Sequence, residues 1–201
     1  MKTGLKKILA YILIAVCAFS ISACGVGKKE EDYIGMTKTN TITLNEDGSI
    51  REIAREDFSG VNFDTSNLKN DIKAEVEEYC TNHGENTVKF LQYKNTADIV
   101  RVALDYKSLE DYNRFNQTEY VNDLAANISQ DEIVSDLNGN ELDISSMDGS
   151  KGTLYAFICD GELNLTVNGE ILYINSHATV GTDTTSASLD GLGKAIIIYK
   201  K

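Results

Sequence analysis

Residues 154–174 read LYAFICDGELNLTVNGEILYI, and two dipeptides inside them govern how the C-terminal half is drawn. Leu154 to Cys159 would be apolar on both faces of an extended chain, the pattern of a central strand covered above and below. Asp160-Gly161 and Asn168-Gly169 supply residues that tolerate positive φ, which two-residue hairpin loops require. Between them Leu163, Leu165 and Val167 alternate with polar neighbours, and Ile171 to Ile174 follows the second turn. The stretch is therefore expected to fold as an antiparallel β meander. Downstream, the Thr/Ser-rich run 181–188 reads as an edge or loop. Gly191-Leu-Gly-Lys194 reads as a turn into a last buried strand, Ala195-Ile-Ile-Ile-Tyr199.

Upstream of this stretch the pattern mixes helix and strand. Ile42 and Leu44 share one face of a short strand, 46–49 is a turn, and Ile50 to Phe58 reads as the returning strand. Asp64-Thr65-Ser66 offers capping side chains before Leu68, Ile72, Val76 and Tyr79/Cys80, which recur at helical spacing. Asn82 or Gly84 ends that helix. A second hairpin pairs Val88 and Phe90 with Val100 to Tyr106 across a turn near Asn95-Thr96, and Ser108 caps a short helix after it. Residues 39–84 and 87–116 thus share a strand-strand-helix order. Ile50-Arg-Glu-Ile-Ala beside Ile99-Val-Arg-Val-Ala hints at a repeat, although shared strand chemistry produces the same likeness. Tyr120 to Ile128 reads as a short helix, and Asp136 to Asp143 as a hairpin around Asn138-Gly139. The expected class is α+β, with N-terminal strand-strand-helix units followed by the C-terminal antiparallel β meander. Residues 39–127 form the α+β region and 128–201 the mainly β region, with a shared core left open.

The N-terminus carries a different signal. Lys2, Lys6 and Lys7 precede Ile8 to Phe19, which has no charged side chain. Twelve helical residues extend about 18 Å, short of a hydrocarbon core of roughly 30 Å, so the run reads as an export signal rather than a span. It closes on Ile21-Ser22-Ala23-Cys24. At these residues the chain resembles bacterial lipoprotein precursors, whose lipobox is a branched apolar residue, two small residues and a cysteine. The resemblance implies removal of residues 1–23, with Cys17 among them, and a diacylglyceryl thioether on Cys24. Two acyl chains hold a protein to a bilayer where one does not. Residues 24–38 lack periodicity and read as a disordered tether of roughly 20 Å reach. With the acidic tether and a β-rich end in Ile-Ile-Ile-Tyr-Lys, the chain resembles in build the small lipoproteins of low-GC Gram-positive bacteria. That places it at the extracytoplasmic face of the cell membrane, partnered by the bilayer and by an unknown surface ligand or protein.

Composition narrows the partners. The formal charge is −12 over 201 residues, and loss of the first 23 residues removes three lysines and no acid, leaving −15. Such a surface repels nucleic acid and anionic headgroups. The chain has no proline and no tryptophan, which excludes proline-rich linkers and weakens a sugar-binding aromatic platform.

No Gly-x-Ser-x-Gly, His-Glu-x-x-His, Cys-x-x-Cys or complete phosphate loop is present, and no motif calls for a cofactor. Cys80-Thr-Asn-His83, with Cys159 and His177, has the ligand count of a tetrahedral zinc site. The wide spacing of Cys159 and His177, and the place of Cys80 in an apolar stripe, argue for packing instead. Cys80 and Cys159 read either as a disulfide or as two buried free thiols. Asp136-x-Asn138-x-Asn140 opens like a calcium loop, but Glu141 stands where glycine is needed and Met147 where a bidentate glutamate belongs. Tyr112, Phe115 and Tyr120 read as core packing in preference to a ligand platform. Two functions follow as expectations: a non-enzymatic binding or scaffolding lipoprotein, or a cell-envelope hydrolase using Cys80 with His83 or His177.

Overall fold

The computed structural model describes residues 32–35, 37–60, 64–128, 133–144 and 153–201. The expected export signal, Cys17, Cys24, most of the expected tether and Met147 lie outside them. Among the described residues the fold is mixed α/β, with two helices and one large, mostly antiparallel sheet of eleven strands.

Two local hairpins start the chain. Strands β1 (Thr41–Leu44) and β2 (Ile50–Asp57) pair antiparallel across the expected turn, with Leu44 opposite Ile50. Asp47 holds that turn by accepting from the Ser49 amide at 3.0 Å and its hydroxyl at 2.6 Å. Strands β3 (Val88–Thr96) and β4 (Ile99–Tyr106) form the second hairpin, turning at Ala97-Asp98 rather than Asn95-Thr96. Both turn residues have positive φ, +50° and +65°, which matches the twist of tight hairpin loops.

The helices follow their apolar spacing. In α1 (Leu68–His83), Leu68, Ile72 and Val76 are buried as one stripe. Asn67 is the N-cap residue and makes no side-chain capping bond; Asp64 instead accepts from the Ser66 amide at 2.8 Å. In α2 (Leu109–Asn116), Ser108 accepts from the Asp111 amide at 3.1 Å, the expected cap.

Separate N-terminal strand-strand-helix units are not what forms. Strand β2 pairs with β4 along eight residues, from Ile50 opposite Tyr106 to Asp57 opposite Ile99, so the two hairpins are one sheet. That sheet continues through β1, which lies parallel to β8 (Leu154–Thr166). The strand order is β3-β4-β2-β1-β8-β11-β9-β6-β7, with β11 spanning Ser186–Lys200, β9 Glu170–Ile174, β6 Ile133–Asp136 and β7 Glu141–Asp143. Strand β5 (Val121–Leu124) pairs with β8, and β10 (Ala178–Val180) with β11.

The C-terminal half is antiparallel β as expected, but Asp160-Gly161 is not a hairpin turn. Strand β8 runs straight through it. Gly161 sits at φ +120° opposite a bulge, because the register with β11 shifts between Asp190 and Lys194. Gly191-Leu-Gly193, expected as a turn into the last strand, is that bulge. A dipeptide that permits a turn does not compel one, and the long ladder of β8 with β11 overrides it. Asn168-Gly169 does turn the chain, yet β9 pairs with β11 rather than with β8. A Cβ on Gly169 would stand 2.1 Å from the Lys200 carbonyl oxygen, so only glycine fits there. Residues 120–128, expected as a helix, are β5 followed by a 3-10 turn at Ala125–Asn127. The edge of β8 supplies hydrogen-bond partners, Val121 opposite Ile158, that a lone helix would lack. The Asn138-Gly139 hairpin is present as β6–β7.

Along β8 and β11 the sheet is buried on both faces. One cluster, beneath the helices, draws Ile42, Leu68, Phe157, Cys159, Ile197 and Tyr199 from both halves of the chain. The other packs Val134, Ile144, Ile158, Ile196 and Ile198 on the opposite side. Chain order also begins earlier than Lys38. Ile34 is fully buried, its amide donates to Gln92 at 3.2 Å, and Arg51 lies over the Tyr33 ring at 4.5 Å. The described end of the expected tether is thus part of the folded body.

Candidate functional site

The site begins with an interruption along one edge of β8. Strand β5 covers residues 155–158 there and β1 covers residues 164–166, so among the described residues 159–163 have no strand partner on that side. Across the ladder lies the β11 bulge, Gly191-Leu-Gly193, directly after Asp190. A cleft of about 410 Å³ opens where β1, the second half of β2, the end of α2 and residues 190–192 meet.

Its floor comes from the alternation of β2. Ile50, Glu52 and Ala54 all point inward, so a carboxyl is carried into the core by the same periodicity that buries its neighbours. Glu52 is only 6 % exposed. The Tyr106 hydroxyl donates to its Oε2 at 2.6 Å, and Asn116 Nδ2 lies 3.5 Å from the same oxygen and 3.1 Å from the Tyr106 oxygen. Asn116 is itself buried, one turn of α2 beyond Tyr112. Tyr112 stacks on Tyr120 with centroids 5.6 Å apart and meets Tyr106 edge-on at 5.0 Å. Asn113 fixes Tyr120 from both sides, donating to its carbonyl at 2.7 Å and accepting from its amide at 3.0 Å. The Tyr120 hydroxyl donates to the Asp160 carbonyl at 2.8 Å, tying this cluster to the free edge of β8.

Burial sets the electrostatics. It pushes the Glu52 carboxyl above the ordinary range, against the pull of hydrogen bonds from Tyr106, Asn116 and Tyr112. Tyr106 and Tyr112 are raised well above the usual phenol by burial and then by the neighbouring Glu52 charge. On α1, burial followed by the nearby Glu78 charge lifts Glu75 to about 7, and its Oε2 is buried without a hydrogen-bond partner.

Charged groups of both signs form the walls: Lys38 and Arg55 against Glu56, Asp57, Glu162 and Asp190. Arg55 lies 3.6 Å from Asp57. Asp190 accepts from the Leu192 amide at 2.8 Å and sits 3.3 Å from His177 Nδ1. Among the described residues, neither Glu56 nor Glu162 makes a side-chain hydrogen bond or ion pair.

The candidates drawn from the sequence lie apart from one another. Cys80 is half-buried, donating its thiol to the Val88 carbonyl at 3.2 Å. Cys159 is buried, and burial followed by the Asp160 charge pushes its thiol up to about 12. Both are free thiols, which settles the open choice against a disulfide. His83 is exposed at the end of α1 with its ring 4.3 Å from that of Tyr79. His177 faces Asp190 and packs over Gly193, where a Cβ would stand 2.5 Å from Nε2. No hydrogen bond joins Cys80 to either histidine among the described residues. No group of three or more His, Cys, Asp or Glu is placed there to hold a metal ion. Asp136 spends its carboxylate on the hairpin, accepting from the Asn138 amide and from the Asn140 amide and side chain, each at 2.8 Å. Tyr112, Phe115 and Tyr120 pack into the core, with Tyr112 and Tyr120 also lining the cleft.

Glu52 and Asn116 were missed by sequence reasoning. The signal for Glu52 was available: a charged residue in the inward register of β2, between Ile50 and Ala54. Asn116 had none, because its burial depends on where α2 docks. Compared with family models, with curated proteins and with solved structures, the chain matches none.

Proposed function

We propose that this protein is a lipoprotein held at the extracytoplasmic face of the cell membrane by acylated Cys24, with a non-enzymatic binding or scaffolding role, and that the cleft over Glu52 receives its ligand. The anchor is supported by Ile21-Ser22-Ala23-Cys24 following a charged start and a short apolar run. No helix among the described residues is long and apolar enough to cross a membrane. From Cys24 to the buried Ile34 there are ten residue steps, a reach of at most about 36 Å however the chain runs. The cleft therefore stays close to the bilayer.

One observation carries the binding role: the polar floor of the cleft, Glu52 with Tyr106 and Asn116. Apolar side chains would fill that place at lower cost, since a buried carboxyl is unfavourable unless hydrogen-bonded. Convergent polar groups in a cleft of this size, with aromatic rings beside them, are the usual make-up of a small-molecule site.

The anchor is tested by fractionating cells that produce the full-length chain or its Cys24→Ser variant. Mass spectrometry is expected to find diacylglyceryl on Cys24 of the membrane-bound wild type, and the variant is expected to leave the membrane fraction. An unmodified wild-type chain that partitions like the variant would overturn the anchor.

A further inference from the structure

The class of ligand can be read from the cleft, given that the cleft is the binding site. Seven of its lining residues carry ionisable charge, two basic and five acidic with Glu52 counted. Arg55 has Asp57 at 3.6 Å, although its Nε is buried without a hydrogen-bond partner, and Asp190 is met by His177 and the Leu192 amide. Glu56 and Glu162 stand on the walls without a side-chain hydrogen bond or ion pair among the described residues, with Lys38 and Arg55 as the basic residues of the lining. At the floor, Tyr106 and Asn116 donate to Glu52 Oε2, and Tyr112 is a further hydrogen-bond partner of the carboxyl. The stacked Tyr112 and Tyr120 add π-electron faces, which attract cations. An anion in this position would meet unpaired carboxylates. A neutral ligand would give those carboxylates no partner.

We infer that the cleft binds a small organic cation, its charged end between Glu56 and Glu162 and toward Glu52, its apolar part against Tyr112 and Tyr120. The volume of about 410 Å³ suits such a molecule. The net charge of −12 draws cations toward the protein before contact.

A consequence follows for protons. Burial favours the protonated form of Glu52 in the empty cleft. A cation beside it favours the carboxylate, so the O–H bond breaks and the proton passes to buffer as the cation arrives. The groups that face Glu52 are Tyr106 from β4 and Tyr112 and Asn116 from α2, with Glu75 of α1 acting on Tyr106. The wall charges named above complete the set.

Calorimetry on the full-length protein in detergent tests this, with choline and putrescine as cations and acetate and glucose as comparison probes. Choline or putrescine is expected to bind, with a heat that differs between buffers of different ionisation enthalpy. Glu56→Gln with Glu162→Gln is expected to weaken binding about tenfold. These residues lie on the cleft walls outside the core, and circular dichroism verifies the fold of the double variant. Glu52→Gln is expected to make the heat independent of buffer. Acetate or glucose binding while both cations stay silent would overturn the cation assignment and leave the cleft as the ligand site. Silence from all four probes would overturn both, and buffer-dependent heat persisting in Glu52→Gln would remove Glu52 from the account.

Discussion

The two faces of the sheet share strands β8 and β11 and are built to different ends. On one face Ile158, Ile196 and Ile198 meet Val134 and Ile144 in an aliphatic layer. On the other, β2 carries Glu52 into the core, and α2 brings Tyr112 and Asn116 to meet it. The first arrangement maximises burial, roughly 1.5–3 kcal/mol for each large side chain. The second gives up part of that gain to hold a carboxyl beside a cleft. A polar network held at that cost is what the proposed ligand site over Glu52 requires.

Truncation on the aliphatic face has the largest expected effect. Ile198→Ala should lower the unfolding free energy by about 2–5 kcal/mol, from lost transfer energy plus the cavity left behind. Glu52→Gln should cost far less, because the amide can still accept from Tyr106 and replaces an acid that burial already favours as neutral. Urea denaturation of both variants checks the contrast. Equal destabilisation would mean that Glu52 is a structural residue like any other, and the distinction between the faces would fail.

A smaller effect should appear with pH, and on the helix-bearing face alone. The Glu75 carboxyl is raised from 4.5 to about 7 in the folded protein. A group raised on folding contributes stability that is fully present below its unfolded value and is lost as pH rises through the folded one. The urea midpoint should therefore fall between about pH 4.5 and 7, and Glu75→Gln should flatten that slope. Glu52 acts in the same direction. A slope unchanged by Glu75→Gln would show that its carboxyl is solvated.

What the sequence made legible was local. The turn at Asp47-Gly48, the hairpin at Asn138-Gly139, the Leu68-Ile72-Val76 stripe and the Ser108 cap each depend on residues within a few positions of one another. Asp160-Gly161 depends on β11, some thirty residues on, and its local preference for a turn lost to that pairing. Residues 121–124 are a strand because β8 offers an edge, and nothing in their own spacing says so. At the site, cysteine and histidine drew notice by type, yet the fold scatters them. Glu52 was readable as a charge in an inward register, while its partners Tyr106 and Asn116 lie 54 and 64 positions away.

The most direct measurement is a carbon-detected NMR titration of the glutamate side-chain carboxyls in the full-length protein, with Glu52→Gln for assignment. One resonance, absent from the variant, is expected to titrate above the ordinary carboxylate range, as a carboxyl buried under Tyr106 and Asn116 must. If the Glu52 signal instead titrates together with the exposed glutamates, the cleft has no buried acid at its floor and the account is contradicted.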